Sequence, residues 1–163
     1  MSKLLYSEKI RSNKTSLLFG ILALIFFALF AWRYSVVGLR FVPGLYAFFG
    51  LFFCVYFINY RGLHITITDQ TLQLKFGVIG WRTDIKNIAH SISYDPPFWI
   101  KYGGAGVHFA TVDGEYMAFY NFLEYPRILI KFHQKQGIVQ ALVFTTREPD
   151  RILEILGKRS SAV

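Results

Sequence analysis

Two long runs without a charged residue constrain this chain more than any other feature of its sequence. The first extends from Leu17 to Trp32 and the second from Phe41 to Tyr60. A helix over the second run is long enough to cross a hydrocarbon core, and the first becomes long enough when it extends through Thr15 and Ser16 and through residues 34–39. The runs therefore predict a membrane hairpin of two α-helices over residues 16–60.

Two other structures also contain apolar runs, and the sequence argues against both. A cleaved signal peptide follows a basic start, but the first run is long, lacks a convincing small-x-small cleavage site and is followed directly by a second run. Core helices of a soluble protein usually keep a polar face, which neither run has.

Small residues recur at roughly helical spacing in both runs, and small residues let helices approach closely in lipid. The pattern has two interpretations of equal weight: a specific helix–helix interface, within the chain or between copies, and an incidental distribution. The small residues are Gly20, Ala23, Ala31, Ala47, Gly50 and Cys54.

Cys54 is also the single cysteine of the chain, so no intrachain disulfide can form.

The positive charge of the chain is concentrated beside the apolar runs. The formal net charge is +8, of which residues 1–60 carry +5 and residues 61–163 carry +3. This distribution suits an anionic membrane surface better than nucleic acid, so we expect the lipid bilayer as a partner and no nucleic acid. The predicted membrane-interface anchors are Lys14, Trp32, Arg33, Arg40 and Arg61.

The distribution of Lys and Arg also predicts an orientation. The predicted N-terminal tail, residues 1–15, contains four basic residues, and Arg61 and the domain after it lie on the same side. The loop between the runs holds only Arg33 and Arg40. Because the side richer in Lys and Arg is usually cytoplasmic, we predict an integral inner-membrane protein with two spans and both termini in the cytoplasm.

From Arg61 onward apolar and polar residues alternate with a period of two, which is typical of half-buried strands. Residues 61–163 are therefore predicted to form a mainly β soluble domain. Asp113-Gly114 is its strongest hairpin signal. The seven predicted strands lie at 63–68, at 72–76, within 85–94, and at 107–112, 115–120, 127–133 and 138–144.

The end of the chain predicts an amphipathic helix. Thr145 and Glu148 have the spacing of a capping box, and Pro149 falls in the first turn. Gly157 is the predicted end of this helix. Its apolar face consists of Ile152, Leu153, Ile155 and Leu156.

In this organisation the chain resembles small bacterial membrane proteins in which a pleckstrin-homology-like domain follows two transmembrane helices. The resemblance covers the whole chain in organisation and about residues 60–157 in pattern. It implies a strongly bent seven-stranded sheet of two packed layers, with one open end plugged by the C-terminal helix. The residues that carry it are 63–68 running into 72–77, Tyr102-Gly103-Gly104-Ala105-Gly106, and 145–156.

No residue pattern in the chain points to catalysis. The four histidines have no metal-ligand spacing, and the chain has no Walker loop, nucleophile elbow or dinucleotide fingerprint. Gly103-Gly104-x-Gly106 precedes a predicted strand, whereas phosphate loops precede a helix. We expect a noncatalytic protein without a metal or cofactor. The histidines are His64, His90, His108 and His133.

An aromatic segment and nearby basic residues are the candidate contact sites. Residues 97–102 are predicted as a loop that either contacts a membrane or partner or folds back onto the sheet. The first hairpin loop, residues 68–71, is acidic or neutral, which argues against inositol-phosphate binding there. The candidate contact residues are Phe98, Trp99, Lys101, Tyr102, Arg82 and Lys86.

Three functions remain open at this point. The leading one is a noncatalytic, membrane-tethered interaction module that presents the β domain to protein partners, or to further copies of itself, at the cytoplasmic membrane face. The alternative is a lipid-sensing or lipid-binding protein, which predicts an apolar cavity near the membrane. An enzyme of unrecognised chemistry is the third.

Overall fold

The chain folds as two compact units, of which the β unit is discontinuous in sequence. The computed structural model describes residues 2–103 and 106–160. One unit is residues 13–61, and the other combines residues 1–12 with residues 62–163. The helical unit is therefore an insertion into the β domain.

Helices α1 (Asn13–Val37) and α2 (Phe41–Asn59) form the inserted unit. Their most apolar windows have mean hydropathies of 2.3 and 2.0. Both helices are long enough and apolar enough to cross a membrane, as the sequence predicts. Pro43 lies in the first turn of α2, where its missing N–H breaks no helical hydrogen bond.

The two helices pack through aromatic rings and small residues. The ring of Phe26 lies 5.3 Å from that of Phe49, centroid to centroid, and Phe19 lies 5.3 Å from Tyr56. Gly50 is buried, and a Cβ placed there would lie 2.9 Å from the ring of Phe27. The small residue at position 50 therefore belongs to the α1–α2 interface within one chain.

Replacing Gly50 with leucine is expected to loosen the helix pair by about 1–3 kcal/mol, because the new side chain overlaps the ring of Phe27. Amide hydrogen exchange of α1 and α2 in lipid nanodiscs measures the loss. Gly44→Leu is the matched control, since nothing lies within 4 Å of a Cβ at that position of the same helix. Equal protection in both variants would contradict the assigned interface.

The β domain contains two sheets. The four-stranded sheet has the order β1-β2-β3-β4, and the five-stranded sheet has the order β5-β8-β9-β7-β6. All pairs are antiparallel except β7 with β9, which is parallel. The strands are β1 (Leu4–Ile10), β2 (Leu63–Thr68), β3 (Thr71–Phe76), β4 (Ile79–Asp84), β5 (Ile88–Tyr94), β6 (Gly106–Val112), β7 (Glu115–Asn121), β8 (Arg127–Gln136) and β9 (Val139–Thr145).

The predicted count of seven strands is wrong, because the described residues contain nine. β4 was missed since Gly80 interrupts its apolar alternation. β1 was missed since its partner β2 lies across the inserted helices, so the description of residues 1–15 as a tail is wrong for residues 4–10. The third predicted strand begins at Ile88 after a single 3-10 turn, Ile85–Asn87.

The core lies where the two sheets face each other. The ring of Phe76, at the end of β3, lies 4.8 Å from that of Phe122 and 6.2 Å from that of Tyr120. Helix α4 (Pro149–Ser160) packs against β5 and buries Ile152 and Leu156. The predicted C-terminal amphipathic helix is thus present.

The predicted capping box at the start of α4 is wrong. The hydroxyl of Thr145 is buried and accepts a hydrogen bond from the amide of Phe122. It is the hydroxyl of Thr146 that accepts the amide of Glu148, and the Glu148 carbonyl begins the helical ladder by accepting the amide of Ile152. The helix also continues through Gly157 to Ser160.

Candidate functional site

A short helix, α3 (Phe98–Gly103), replaces the predicted aromatic loop. Phe98 and Trp99 are each 73% exposed, whereas Ile100 packs against the apolar cluster of the five-stranded sheet. Among the described side chains of the segment, Ile100 therefore folds back toward the core while Phe98 and Trp99 do not. The side chain of Tyr102, another predicted contact, lies outside the described residues.

Lys101 forms an ion pair with Asp95. Its Nζ lies 2.6 Å from Oδ1 of Asp95, and this hydrogen bond lowers the pKa of the Asp95 carboxyl. Because a carboxylate matches the lysine, the pair adds no net charge beside the exposed aromatic rings.

Arg82 and Lys86 lie on other parts of the β domain. Arg82 is exposed on β4 of the four-stranded sheet, and Lys86 lies in the 3-10 turn just before β5 begins. Helix α3 follows the opposite end of β5. The predicted contact residues therefore do not form one surface.

The predicted membrane anchors lie at the ends of the two helices. Lys14 is in the first turn of α1, and Trp32 and Arg33 are in its final two turns. Arg40 is the N-cap residue of α2, and Arg61 follows α2 with its guanidinium 5.5 Å from the centre of the Phe57 ring. Their role as anchors stays a prediction.

A cleft of about 230 Å³ borders the edge strand β1. No strand of the described residues pairs with the outer side of β1, so that edge offers backbone donors and acceptors. Glu148, which directly precedes α4, and Arg151, in its first turn, form the other wall. The cleft is lined by Leu4, Leu5, Tyr6, Ser7, Glu8, Glu148 and Arg151.

Glu8 fixes β1 to the start of α4. Its carboxylate accepts hydrogen bonds from the Thr146 hydroxyl at 2.7 Å and from the Arg147 amide at 3.1 Å. It also accepts the Tyr6 hydroxyl at 2.9 Å. Burial, followed by the bond and charge of Glu8, raises the pKa of Tyr6 well above its usual range, so Tyr6 stays a donor. These bonds hold the two walls of the cleft together.

Three basic residues form a row on the outer face of the four-stranded sheet. Lys9 lies opposite His64, and His64 lies opposite Lys75, so one side chain comes from each of β1, β2 and β3. All three are exposed, while their neighbours Ile10, Leu63 and Phe76 are fully buried on the inner face. We call these three residues the basic row. It was missed from the sequence because it needs the β1–β2 pairing.

The geometry offers little for acid–base or metal chemistry. Among the described residues, no three His, Cys, Asp or Glu side chains form a cluster able to hold a metal ion. The ring of His108 stacks on that of Phe119 at 4.9 Å, and burial, with a smaller effect from Arg127, lowers its pKa. His108 is thus a neutral, packed side chain near neutral pH.

Comparisons of this chain with protein-family models, with curated proteins and with solved structures found no match.

Proposed function

We propose that this chain is a noncatalytic, membrane-tethered interaction module whose β domain binds a protein partner. The observation that carries the proposal is the cleft between edge strand β1 and the first turn of α4. An open strand edge recruits an extended segment through backbone hydrogen bonds, and a neighbouring cleft selects its side chains. The partner segment would add a fifth strand beside β1.

The size and lining of the cleft support a peptide as the occupant. Its volume of about 230 Å³ is below the roughly 300–1,000 Å³ typical of small-molecule pockets. Leu4 is 59% exposed and offers an apolar contact at one end. Glu148 and Arg151 form an ion pair at 3.0 Å, so the far wall is polar and internally balanced. A lipid-handling cavity would instead be apolar.

Two helices that cross the membrane would tether this domain to the bilayer. The Lys and Arg distribution supports an inner-membrane location with both termini in the cytoplasm. Two packed sheets and the buried apolar face of α4 support a pleckstrin-homology-like fold of the bacterial kind, enlarged by β1 and β4. Tethering raises the local concentration of the domain, so that weak contacts with a partner in the same membrane suffice.

Selection of random peptides against the full chain in lipid nanodiscs tests this function. Selected peptides are expected to protect the amides of β1 from hydrogen exchange. Ser7→Trp, which fills the cleft beside β1, is expected to weaken their binding at least tenfold, or about 1.4 kcal/mol.

Ser93→Trp provides the matched control for that variant. Ser93 is exposed on β5, which is also an edge strand but does not line the cleft. Its replacement is expected to leave peptide affinity unchanged. Peptides that protect another strand, or that bind the Ser7→Trp variant normally, would refute strand addition at β1.

The alternative function, lipid sensing or binding, is favoured by the exposed Phe98 and Trp99 of α3. Aromatic rings are common at membrane interfaces, where the ring meets lipid and its edge meets water. In a variant that carries Trp32→Phe and Trp81→Phe, Trp99 is the single tryptophan. Quenching of its fluorescence by brominated lipid in nanodiscs would support this contact. If Trp99→Ala abolishes the dependence of membrane contact on lipid composition and leaves peptide binding intact, the alternative is favoured as the main function.

A further inference from the structure

One end of the β domain is the point at which the chain leaves for α1 and returns from α2. Ile10 pairs with Leu63, and Leu63 pairs with Phe76, so all three lie at the same end of the four-stranded sheet. The hydroxyl of Tyr125, in the β7–β8 connection, donates to the carbonyl of Arg11. We call this end of the domain the attachment end.

The basic row lies next to the attachment end. Lys9, His64 and Lys75 each directly adjoin one of the residues that define it. The neighbouring row on the same face, one step away from that end, contains Arg82 opposite Gln73. These two rows hold no carboxylate among the described residues. The face therefore combines four basic side chains in a small area.

Protonation of His64 places a like charge directly opposite Lys9 and Lys75, and like charges opposite each other on a sheet are destabilising. The charged form of the imidazole is therefore disfavoured in the free domain. Partial loss of hydration on the sheet surface lowers the pKa of the His64 imidazole, and the charges of Lys9, Lys75 and Arg11 lower it further. A negatively charged partner on this face would relieve that repulsion and raise the pKa again.

An exposed apolar turn lies at the same end as the basic row. Strands β3 and β4 join through Gly77 and Val78 directly after Phe76, and Val78 is 84% exposed. Basic residues beside an exposed apolar side chain are typical of surfaces that rest on an anionic bilayer. The charges meet the phosphate groups, and the apolar side chain reaches between the headgroups.

The length of the chain limits how far this surface can lie from the first residue of α1. Lys9 is four residues before Asn13, where α1 begins, and four extended residues reach at most about 14 Å. A lysine side chain and a screening length of about 8 Å at physiological salt cover most of that span. The first residue of α1 is thus within electrostatic reach of Lys9, the member of the row nearest to it in the chain.

We propose that the basic row and the Val78 turn form a docking surface for an anionic lipid bilayer, namely the membrane that α1 and α2 cross. Anionic lipid then surrounds α1 and α2 and also binds the β domain. This binding holds the domain in one orientation, with the outer face of the four-stranded sheet toward the headgroups. This inference rests on the membrane tether but not on peptide binding at β1.

Histidine NMR of the full chain in nanodiscs tests the docking surface. His64 is titrated in discs of phosphatidylcholine and in discs that also contain phosphatidylglycerol, with His64→Gln used to assign its signal. A surface potential of about −30 mV concentrates protons threefold, so the pKa of His64 is expected to rise by about 0.5 in the anionic discs. High salt is expected to remove the difference.

Two double variants, each of which removes two positive charges, distinguish docking from a general electrostatic attraction to the bilayer. Lys9→Gln with Lys75→Gln is expected to reduce the lipid-dependent shift by more than half. Lys86→Gln with Lys135→Gln removes two exposed lysines away from the attachment end and is expected to leave it intact. The exposed His90 and His133 serve as internal controls, with a smaller shift expected.

Three results would overturn the docking surface. One is an identical titration of His64 in both discs. Another is an equal shift of His64, His90 and His133, which would indicate only the average potential of the disc. The third is a full shift in the Lys9 and Lys75 double variant. Peptide binding at β1 is measured separately, so its failure leaves these outcomes distinguishable.

Discussion

Replacing Arg127 with methionine is expected to destabilise the β domain by about 3 kcal/mol. Arg127 is 3% exposed, yet its guanidinium is charged. Its Nε donates to the side-chain oxygen of Asn121 at 2.6 Å, and a terminal nitrogen donates to the carbonyl of Phe122 at 3.0 Å. Methionine fills a similar volume but leaves both acceptors buried without this donor, and each such loss costs about 1–3 kcal/mol.

The loss is large because it concerns the attachment end. Arg127 begins β8 and pairs with Tyr94 on one side and with Thr145 on the other. Its two acceptors belong to the end of β7 and the connection after it. The guanidinium thus ties the start of β8 to the end of β7, while strand pairing joins the same residue to the ends of β5 and β9. A domain stability of roughly 5–15 kcal/mol leaves little margin for such a loss.

Urea unfolding of the full chain in detergent, monitored by amide hydrogen exchange in the β domain, measures the loss of stability. Arg82→Met is the matched control, because Arg82 is an exposed arginine in another strand and its replacement is expected to change stability by less than about 0.5 kcal/mol. Arg127→Lys keeps the charge but cannot donate two fixed bonds, so an intermediate loss is expected. Equal stability of the two methionine variants would show that the buried network contributes nothing.

Two of the strands that were predicted correctly show what local pattern can supply. Residues 63–68 bury every second side chain, and residues 115–120 follow a clear Asp-Gly turn, so local pattern suffices for both. β4 has Gly80 in its middle and lacks that pattern. β1 has a suitable pattern, but seven residues beside a long apolar run resemble a basic tail unless their partner strand is known.

The candidate sites were harder to predict, and the reason is again long-range pairing. Lys9 and His64 are far apart in sequence, and only the β1–β2 register makes them neighbours. The cleft likewise needs Glu8 and Arg151 to approach from opposite ends of the chain. By contrast, the sequence already offered exposure of Phe98 and Trp99 as one of two alternatives, because both residues lie in one short segment.

A shortened chain in which the helical insertion is removed is expected to fold as a soluble β domain. Ile10 and Leu63 are paired neighbours, so residues 1–12 can be joined to residues 62–163 through an Asn-Gly turn without stretching either strand. The fused chain keeps both sheets, α4 and the bonds of Glu8. We expect a cooperative urea transition and a monomer by size-exclusion chromatography.

Residues 62–163 alone are expected to be far less stable and to aggregate. Without β1 the domain loses Tyr6 and Ile10, which are 5% and 0% exposed, and burial of such side chains contributes about 1.5–3 kcal/mol each. The absence of β1 also leaves β2 as an open edge with alternating apolar residues, which promotes pairing between molecules.

Ile10→Asp in the fused chain separates the presence of β1 from its packing. This variant has the full length and the same turn, but a carboxylate at a fully buried position prevents β1 from closing over the core. It is expected to behave like residues 62–163 alone. If residues 62–163 instead resist urea as well as the fused chain does, β1 contributes nothing to the domain. The cleft at its edge then loses its structural basis, because a wall that is not held in place cannot select a partner.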